Sequence, residues 1–289
     1  MSKALLRNKT VAIVGLGQIG GSLALAFREK RLFKEIVGFD LDRKTLNLAQ
    51  TRGLIDRASL SPEKAVAGAD LILICIPVRK IVKLLPKIAT LVKPSAVICE
   101  TGSTKVEILK AVQKSKIKNF VGIHPVAGSE KPGISGWRQD LFRDKVFTIT
   151  PSKQCPPESV MTTNEMVCRI GGKVVPVAAE QHDRMFAKTS HLPYLISIAL
   201  TNLVFNYNSS PLIKGFLGGA FRDATRVAAS SSAVMQDILF SNRKNIIRQI
   251  NLFTTILKGY QKYLLQNNQE SLAREISQAR RLRSKLRFS

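Results

Sequence analysis

Short apolar runs and amphipathic stretches alternate along the first part of the chain. Seven runs rich in Val, Ile and Leu have the length of strands, at 10–15, 35–40, 71–77, 96–100, 120–124, 146–150 and 173–177. Five stretches with helical spacing lie between them, at 18–30, 43–52, 78–92, 104–114 and 157–169. Because the strands are apolar throughout, this alternation predicts a parallel sheet covered by helices on both faces.

The pattern changes after residue 178, where strand-like runs stop. Helical spacing predicts one helix from His182 to Tyr207, then a glycine-rich turn, GFLGGAFRD, that leads into further helices. In the segment 243–265, apolar residues such as Ile250 and Leu257 repeat at three-to-four spacing. We therefore predict an α/β domain at 1–178 and an all-helical domain at 179–289. The apolar stripes exceed what one small domain covers, which favours a homodimer.

The first predicted strand runs into a glycine-rich segment, Gly15-Leu16-Gly17-Gln18-Ile19-Gly20, that opens a helix. This order is the signature of a dinucleotide-binding turn, and it predicts a Rossmann-type, doubly wound first domain. Asp40 ends the next strand. A carboxylate there accepts hydrogen bonds from a ribose 2′-OH and repels a 2′-phosphate, so NAD is expected over NADP, a preference that nearby Arg43 and Lys44 moderate. The alternative is a structural glycine turn beside a helix-capping Asp.

Cysteine usage and hydropathy narrow the class of protein. The four cysteines are scattered without a CxxC pair, which argues against a zinc site, and we expect no metal. The N-terminus lacks the apolar core of a signal peptide, and no apolar stretch is long enough to span a bilayer. We therefore expect a soluble cytoplasmic protein with no membrane partner.

The formal net charge of +25 is unusual, and six basic residues fall within the last sixteen positions. A nucleic-acid surface is one interpretation. A solvated helix face is favoured, because no aromatic residues are interleaved for base stacking. A third interpretation is that the positive potential attracts an anionic substrate and cofactor.

All three histidines lie in motif-like clusters, His124 in HPVAGSEKPG and His182 and His191 in HDRMFAKTSHLP. Neutral imidazole is the usual proton acceptor near neutral pH, as oxidation of an alcohol requires. The alternative is that these are core or loop histidines. The glycines and proline around His124 favour a functional position.

Several motifs together resemble the prephenate/arogenate dehydrogenase family of tyrosine biosynthesis. They are the glycine segment, ETGSTK (100–105), HPVAGSEKPG (124–133), HDRMFAKTSHLP (182–193) and GGAFRDATRVA (218–228). The resemblance covers nearly the whole chain. It implies NAD-dependent oxidation of a cyclohexadienol by hydride transfer, with loss of the ring carboxylate as CO2.

The resemblance also implies roles for individual residues. His124 matches the catalytic histidine, Ser103 its hydroxyl partner and Arg226 the arginine that binds a substrate carboxylate. The remaining matches to the substrate pocket are His191, Glu130, Gly219 and Asp223. Arginine suits a dianionic substrate because its planar fork binds carboxylates bidentately. Without the resemblance, Arg226 and Asp223 would be interpreted as an ion pair on a helix surface.

The sequence also departs from the family pattern. Ser230 to Met235 reads SSSAVM where many bacterial members have an S-D-P segment, and Tyr194 stands where histidine is common. Asp140 is a candidate partner for the amino group of arogenate. We expect a prephenate dehydrogenase that makes 4-hydroxyphenylpyruvate, with arogenate dehydrogenase as the alternative. Two further alternatives are another dehydrogenase with a helical second domain, which would lack the HPxAGxE segment, and a basic nucleic-acid-binding protein that retains a Rossmann domain.

Overall fold

The fold is a single sheet followed by packed helices, seen in a computed structural model that describes residues 6–128, 133–206 and 211–286. The eight strands in the described residues are β1 (Thr10–Val14), β2 (Glu35–Phe39), β3 (Arg57–Ala58), β4 (Leu71–Ile74), β5 (Val97–Glu100), β6 (Phe120–Pro125), β7 (Val146–Pro151) and β8 (Lys173–Pro176). They are ordered β3-β2-β1-β4-β5-β6-β7-β8. The helices between them are α1 (Gln18–Glu29), α2 (Arg43–Thr51), α3 (Pro62–Val66), α4 (Val78–Ile88), α5 (Val106–Lys114) and α6 (Pro157–Arg169).

The direction of β7 corrects the prediction of a parallel sheet. β1 to β6 are parallel, but β7 pairs antiparallel with β6, and β8 is parallel to β7. A parallel pair needs a long crossover, usually a helix. In its described part, the β6–β7 connection has only the short 3-10 turn Gly133–Gly136, and the strand returns antiparallel. The sheet is therefore mostly rather than wholly parallel.

The sheet is covered on both faces, as the apolar strands predicted. Within β1, Val11 and Ile13 belong to one core cluster and Ala12 and Val14 to the other. The first cluster includes apolar residues of α1, α2 and α6, and the second includes those of α3, α4 and α5. The short elements β3 and α3 were not predicted, because two and five residues are too few for a periodic signal.

The second half is helical, with α7 (Ala179–Phe186), α8 (Leu192–Asn206), α9 (Gly219–Thr225), α10 (Ser232–Ser241), α11 (Arg243–Leu265) and α12 (Gln269–Ser284). The single helix predicted from His182 is in fact α7 and α8 joined by a π-helical turn, Ala187–His191, and Tyr207 lies outside the described residues. The predicted glycine-rich turn is partly wrong, since α9 already begins at Gly219.

Hydrogen bonds join the two halves beside the sheet. The hydroxyls of Thr104 and Ser241 lie 2.9 Å apart, and the Arg79 backbone N–H donates to Asp237 Oδ2 over 3.0 Å. These contacts place α10 against α4 and against the loop just before α5. Among the helices described, none has the length and hydropathy needed to cross a membrane.

Candidate functional site

The glycine-rich turn between β1 and α1 has the shape that its sequence predicted. Gly15 has φ +95°, and a Cβ there would meet the Cys75 carbonyl oxygen at 2.6 Å. A Cβ at Gly20 would lie 1.9 Å from the Gly15 oxygen, so the helix can approach the turn only without one. At Gly17, by contrast, a Cβ would meet nothing within 4 Å. Backbone next to open space at a helix N-terminus fits a pyrophosphate.

Asp40 lies beside this turn, where the sequence placed it. Its Oδ2 accepts from the Leu16 backbone N–H at 2.7 Å, and its Oδ1 from the Asp42 N–H at 2.9 Å. The cap of α2 is Asp42 rather than Asp40, which removes the capping alternative. Gly15, Gly17 and Asp40 line a cleft of about 580 Å3, a usual size for a ligand site. Its other lining residues include Leu41, Pro62, Cys75, Ile76, Lys80, Lys83 and Lys87.

Trp137 supports the turn from the β6–β7 connection, which sequence reasoning missed. Its indole N–H lies 2.9 Å from the Leu16 carbonyl oxygen and 3.1 Å from that of Gly17. Gln18 and Ile19, the other predicted members of the turn, are the first two residues of α1 and are half-buried. As the only tryptophan of the chain, Trp137 could have drawn attention, but nothing in the sequence links it to the glycines.

His124 is near the end of β6, at the same carboxyl edge of the parallel strands as the glycine turn. Its Nδ1 lies 2.9 Å from His182 Nε2, and His182 Nδ1 lies 2.8 Å from Asp183 Oδ1. Asp183 also accepts from the backbone N–H groups of Lys105 and Val106, at 2.8 and 3.0 Å. The structure thus joins the two motifs through a chain of side chains, of which the sequence identified only the histidines.

A buried ion pair contacts the residue just before His124. The Lys105 ammonium donates to Glu100 Oε1 at 2.5 Å and to the carbonyl oxygens of Gly102 and Ile123, each at 2.8 Å. Both side chains are fully buried. Burial raises the pKa of Glu100 and lowers that of Lys105, each against the attraction of its partner. The pair ties the loop after β5 to the backbone of β6 just before His124.

The three histidines are held neutral. Burial, with smaller contributions from Lys105, His182 and His191, keeps the pKa of His124 well below 6.5. Burial also lowers the pKa of His182, although Asp183 opposes it, and lowers that of His191 to about 4. A neutral imidazole at His124 can accept a proton at neutral pH.

His191 joins the same cluster through Asn242. The Asn242 side-chain amide donates to the Asp183 carbonyl oxygen at 2.7 Å and lies 3.2 Å from His191 Nδ1. Amide nitrogen is only a donor, so Nδ1 of His191 accepts and its proton is on Nε2. Asn242 directly precedes α11, and no sequence motif around it could have identified it.

The other predicted site residues are more dispersed. Ser103 is half-buried in the loop after β5, but the described hydrogen bond of His124 goes to His182 instead. Gly219 begins α9, and Asp223 of that helix pairs with Arg222 at 3.3 Å. Arg226 follows α9 and is exposed in the single chain. Glu130 lies outside the described residues.

Two further expectations concern ligands. Asp140, the candidate for an amino group, is exposed and paired with Arg138 at 3.0 Å. Within the described ranges, no group of three His, Cys, Asp or Glu side chains is placed to hold a metal ion.

Comparison with known families accounts for both halves of the chain. Residues 23–176 match the nucleotide-binding domain of prephenate dehydrogenase, and residues 178–278 match its dimerization domain. The chain belongs to the prephenate dehydrogenase family. This confirms the resemblance inferred from the motifs.

Curated relatives of this family align over almost the whole chain. A cyclohexadienyl dehydrogenase of Zymomonas mobilis is 31% identical over 96% of each chain. A prephenate dehydrogenase of Bacillus subtilis is 30% identical over 96% of this chain and 76% of its own length.

Solved structures agree with this relationship. Prephenate dehydrogenase from A. aeolicus, in complex with hydroxyphenyl propionate and NAD+, matches with a TM-score of 0.90 at 27% identity, over 96% of this chain and 98% of that one. Arogenate dehydrogenase from Synechocystis matches with a TM-score of 0.82 at 25% identity, over 96% and 99%.

Proposed function

We propose that this protein is an NAD-dependent prephenate dehydrogenase that converts prephenate to 4-hydroxyphenylpyruvate. The observation that carries the proposal is the neutral His124 at the carboxyl edge of the sheet, on the same edge as the glycine turn. Family membership and the structure solved with NAD+ support it. We place the boundary between the two domains at residue 178. The domain at 1–178 binds the nucleotide, and the domain at 179–289 binds the substrate and forms the dimer.

The cofactor proposal rests on the turn and on Asp40. The open space at Gly17 and the N-terminus of α1 would hold the pyrophosphate, and Asp40 would accept hydrogen bonds from the ribose. A carboxylate at this point repels a 2′-phosphate, which favours NAD over NADP. Bound NAD+ supplies an acceptor for the hydride.

We assign His124 the substrate proton. As the alcohol carbon loses hydride, its O–H proton passes to the imidazole, and the carbon–oxygen bond becomes a ketone. The bond to the ring carboxylate then breaks, CO2 leaves, and the electron pair moves through the ring to the oxygen, giving a phenolate that takes the proton back from His124 to become the phenol. We assign Ser103 and His191 to hydrogen bonds near the hydroxyl that reacts. We assign Arg226 to the binding of the substrate carboxylate that is remote from this hydroxyl. Glu130, Gly219 and Asp223 are assigned to the pocket around that carboxylate.

The ion pair that Asp140 already forms favours prephenate over arogenate as the substrate. The candidate carboxylate for an amino group is already paired with Arg138 on an exposed surface. We also propose that the enzyme is a cytoplasmic homodimer, as the dimerization-domain match and scattered free cysteines support.

A side-by-side assay tests the proposed reaction. Prephenate and arogenate are each offered with NAD+ and with NADP+, and reduced nicotinamide is followed by absorbance. We expect the highest kcat/KM for prephenate with NAD+, with 4-hydroxyphenylpyruvate as the product. Higher kcat/KM with arogenate, and tyrosine as product, would support the alternative, while no reduction in any of the four mixtures would refute both.

A further inference from the structure

Asp183 accepts two backbone hydrogen bonds at the start of α5. It is 1% exposed, and its two oxygens accept the N–H groups of Lys105 and Val106, where α5 begins. Backbone donors and the positive end of a helix dipole stabilise a carboxylate. A carboxylate can only accept hydrogen bonds. Its contact with His182 Nδ1 therefore requires the proton to be on that nitrogen.

The position of that proton determines the next hydrogen bond. Because His182 is neutral, a proton on Nδ1 leaves Nε2 with a lone pair, and Nε2 must accept. Among the residues that the structure describes, the partner of this atom is His124 Nδ1 at 2.9 Å, which must then donate. Nε2 of His124 is left unprotonated.

We propose that Asp183 and His182 are positioning residues that fix the tautomer of His124, so that its Nε2 carries the lone pair that receives the substrate proton. A free imidazole prefers the opposite tautomer, with the proton on Nε2, and would present a donor where an acceptor is needed. The arrangement follows the logic of a carboxylate that orients a catalytic histidine, with a second imidazole inserted between them. The catalytic consequence rests on the proposed function.

Packing keeps the two rings in this relation. The Phe186 ring lies 4.5 Å from the His124 ring and 4.4 Å from that of His182, between ring centroids. The other titratable groups near this chain are His191 and the Lys105–Glu100 pair. Neither His191 nor Lys105 forms a hydrogen bond to the ring nitrogens of His124 within the described residues, so His182 alone sets the tautomer.

The direct test is the tautomer itself, measured without substrate. Full-length protein labelled with 15N at histidine is studied by two-bond 1H–15N correlation at about pH 8, above the ordinary histidine pKa. Three histidines make assignment by single substitutions straightforward. We expect a protonated-type shift for Nδ1 of His124 and an unprotonated-type shift for its Nε2. The reverse pattern in the wild type would overturn the proposal, even if no variant folded.

Two substitutions of His182 separate positioning from simple support. His182→Leu removes the acceptor, and the His124 proton should move to Nε2. His182→Gln offers a carbonyl oxygen in its place and should keep the proton on Nδ1. An unchanged tautomer in His182→Leu would also overturn the proposal.

Activity gives the second readout. With prephenate and NAD+, His182→Leu should lower kcat at least about tenfold with KM little changed, and His182→Gln should restore most of it. If the wild type shows the expected tautomer but is inactive with prephenate and arogenate, the proposed function fails and the tautomer assignment stands. If the wild type is active but both variants match it in kcat, the positioning role fails alone.

Discussion

At the level of single residues, His124 depends on partners that are distant in the sequence. His182 is 58 positions away, yet it accepts the hydrogen bond for which the sequence had suggested Ser103. The motif HPVAG predicted a functional histidine, because glycine and proline follow a ring that can accept a proton. No local pattern can show that Asp183 accepts the N–H groups at the start of α5 or that His182 meets the ring of His124, since these contacts depend on how the elements pack.

The buried pair Lys105–Glu100 gives a prediction about stability. Lys105→Met leaves Glu100 buried without its counter-charge and should lower the free energy of unfolding by roughly 3–5 kcal/mol. The double variant Lys105→Met/Glu100→Gln should recover a large part, because no buried charge remains. Urea denaturation of the wild type, each single variant and the double variant gives the coupling. A loss below about 1 kcal/mol in Lys105→Met would contradict the account.

Arg226 carries the prediction about substrate binding. A lysine keeps the charge but loses the planar fork, so Arg226→Lys should raise KM for prephenate markedly, with a smaller change in kcat. Arg226→Ala should cost about 2–5 kcal/mol in kcat/KM. Arg222→Lys, in the preceding helix α9, is the matched control and should change neither constant. An unchanged KM in Arg226→Lys would remove this residue from the pocket.

At the level of elements, the sequence predicted most strands and helices, including α11 at its observed bounds, but not the reversal at β7. Apolar runs show that a strand is buried on both faces, yet they do not give its direction. The direction follows from the connection before it, and 126–145 has the length of a crossover, yet its described residues form no crossover helix. The glycine turn was predicted well because Gly15 and Gly20 each meet a local steric requirement.

The glycines of the turn can be separated by experiment. Gly17→Ala should fold normally, because its Cβ meets nothing within 4 Å, but should weaken NAD+ binding at least about tenfold by filling the space for the pyrophosphate. Gly20→Ala should instead lose about 1–3 kcal/mol of stability, because its Cβ would lie 1.9 Å from the Gly15 oxygen.

Trp137 is the natural reporter for these titrations, since its indole contacts the turn and the chain has no other tryptophan. Gly68→Ala, also with open space around its Cβ, is the control and should leave both fluorescence titration and unfolding unchanged. Wild-type NAD+ affinity in Gly17→Ala would contradict the assignment of the turn.

At the level of the whole molecule, the helical half leaves apolar surface exposed in the single chain. Large apolar residues of α11 and α12 are exposed, among them Ile250, Ile256, Leu257, Leu264, Leu265, Ile276 and Leu282. The amphipathic pattern predicted these stripes, and they lie in the half of the chain that matches the dimerization domain. Which pairs of helices meet in the dimer cannot be deduced from periodicity, since more than one helix carries an apolar stripe.

Dimerisation can be tested at one position. The wild type should be a homodimer by light scattering at micromolar concentration, and Leu257→Asp should shift it toward monomer by placing a charge in the apolar contact. Leu60→Asp changes an even more exposed leucine, 79% against 48%, in the nucleotide-binding half and should remain a dimer. A monomeric wild type would contradict the account.

The account depends most on His124 as the proton acceptor. Its most direct test is kcat of His124→Asn with prephenate and saturating NAD+, beside NAD+ affinity from Trp137 fluorescence. We predict that kcat falls by at least about two orders of magnitude while NAD+ affinity stays at the wild-type value. A variant that binds NAD+ normally and keeps near-normal kcat would show that another group takes the proton.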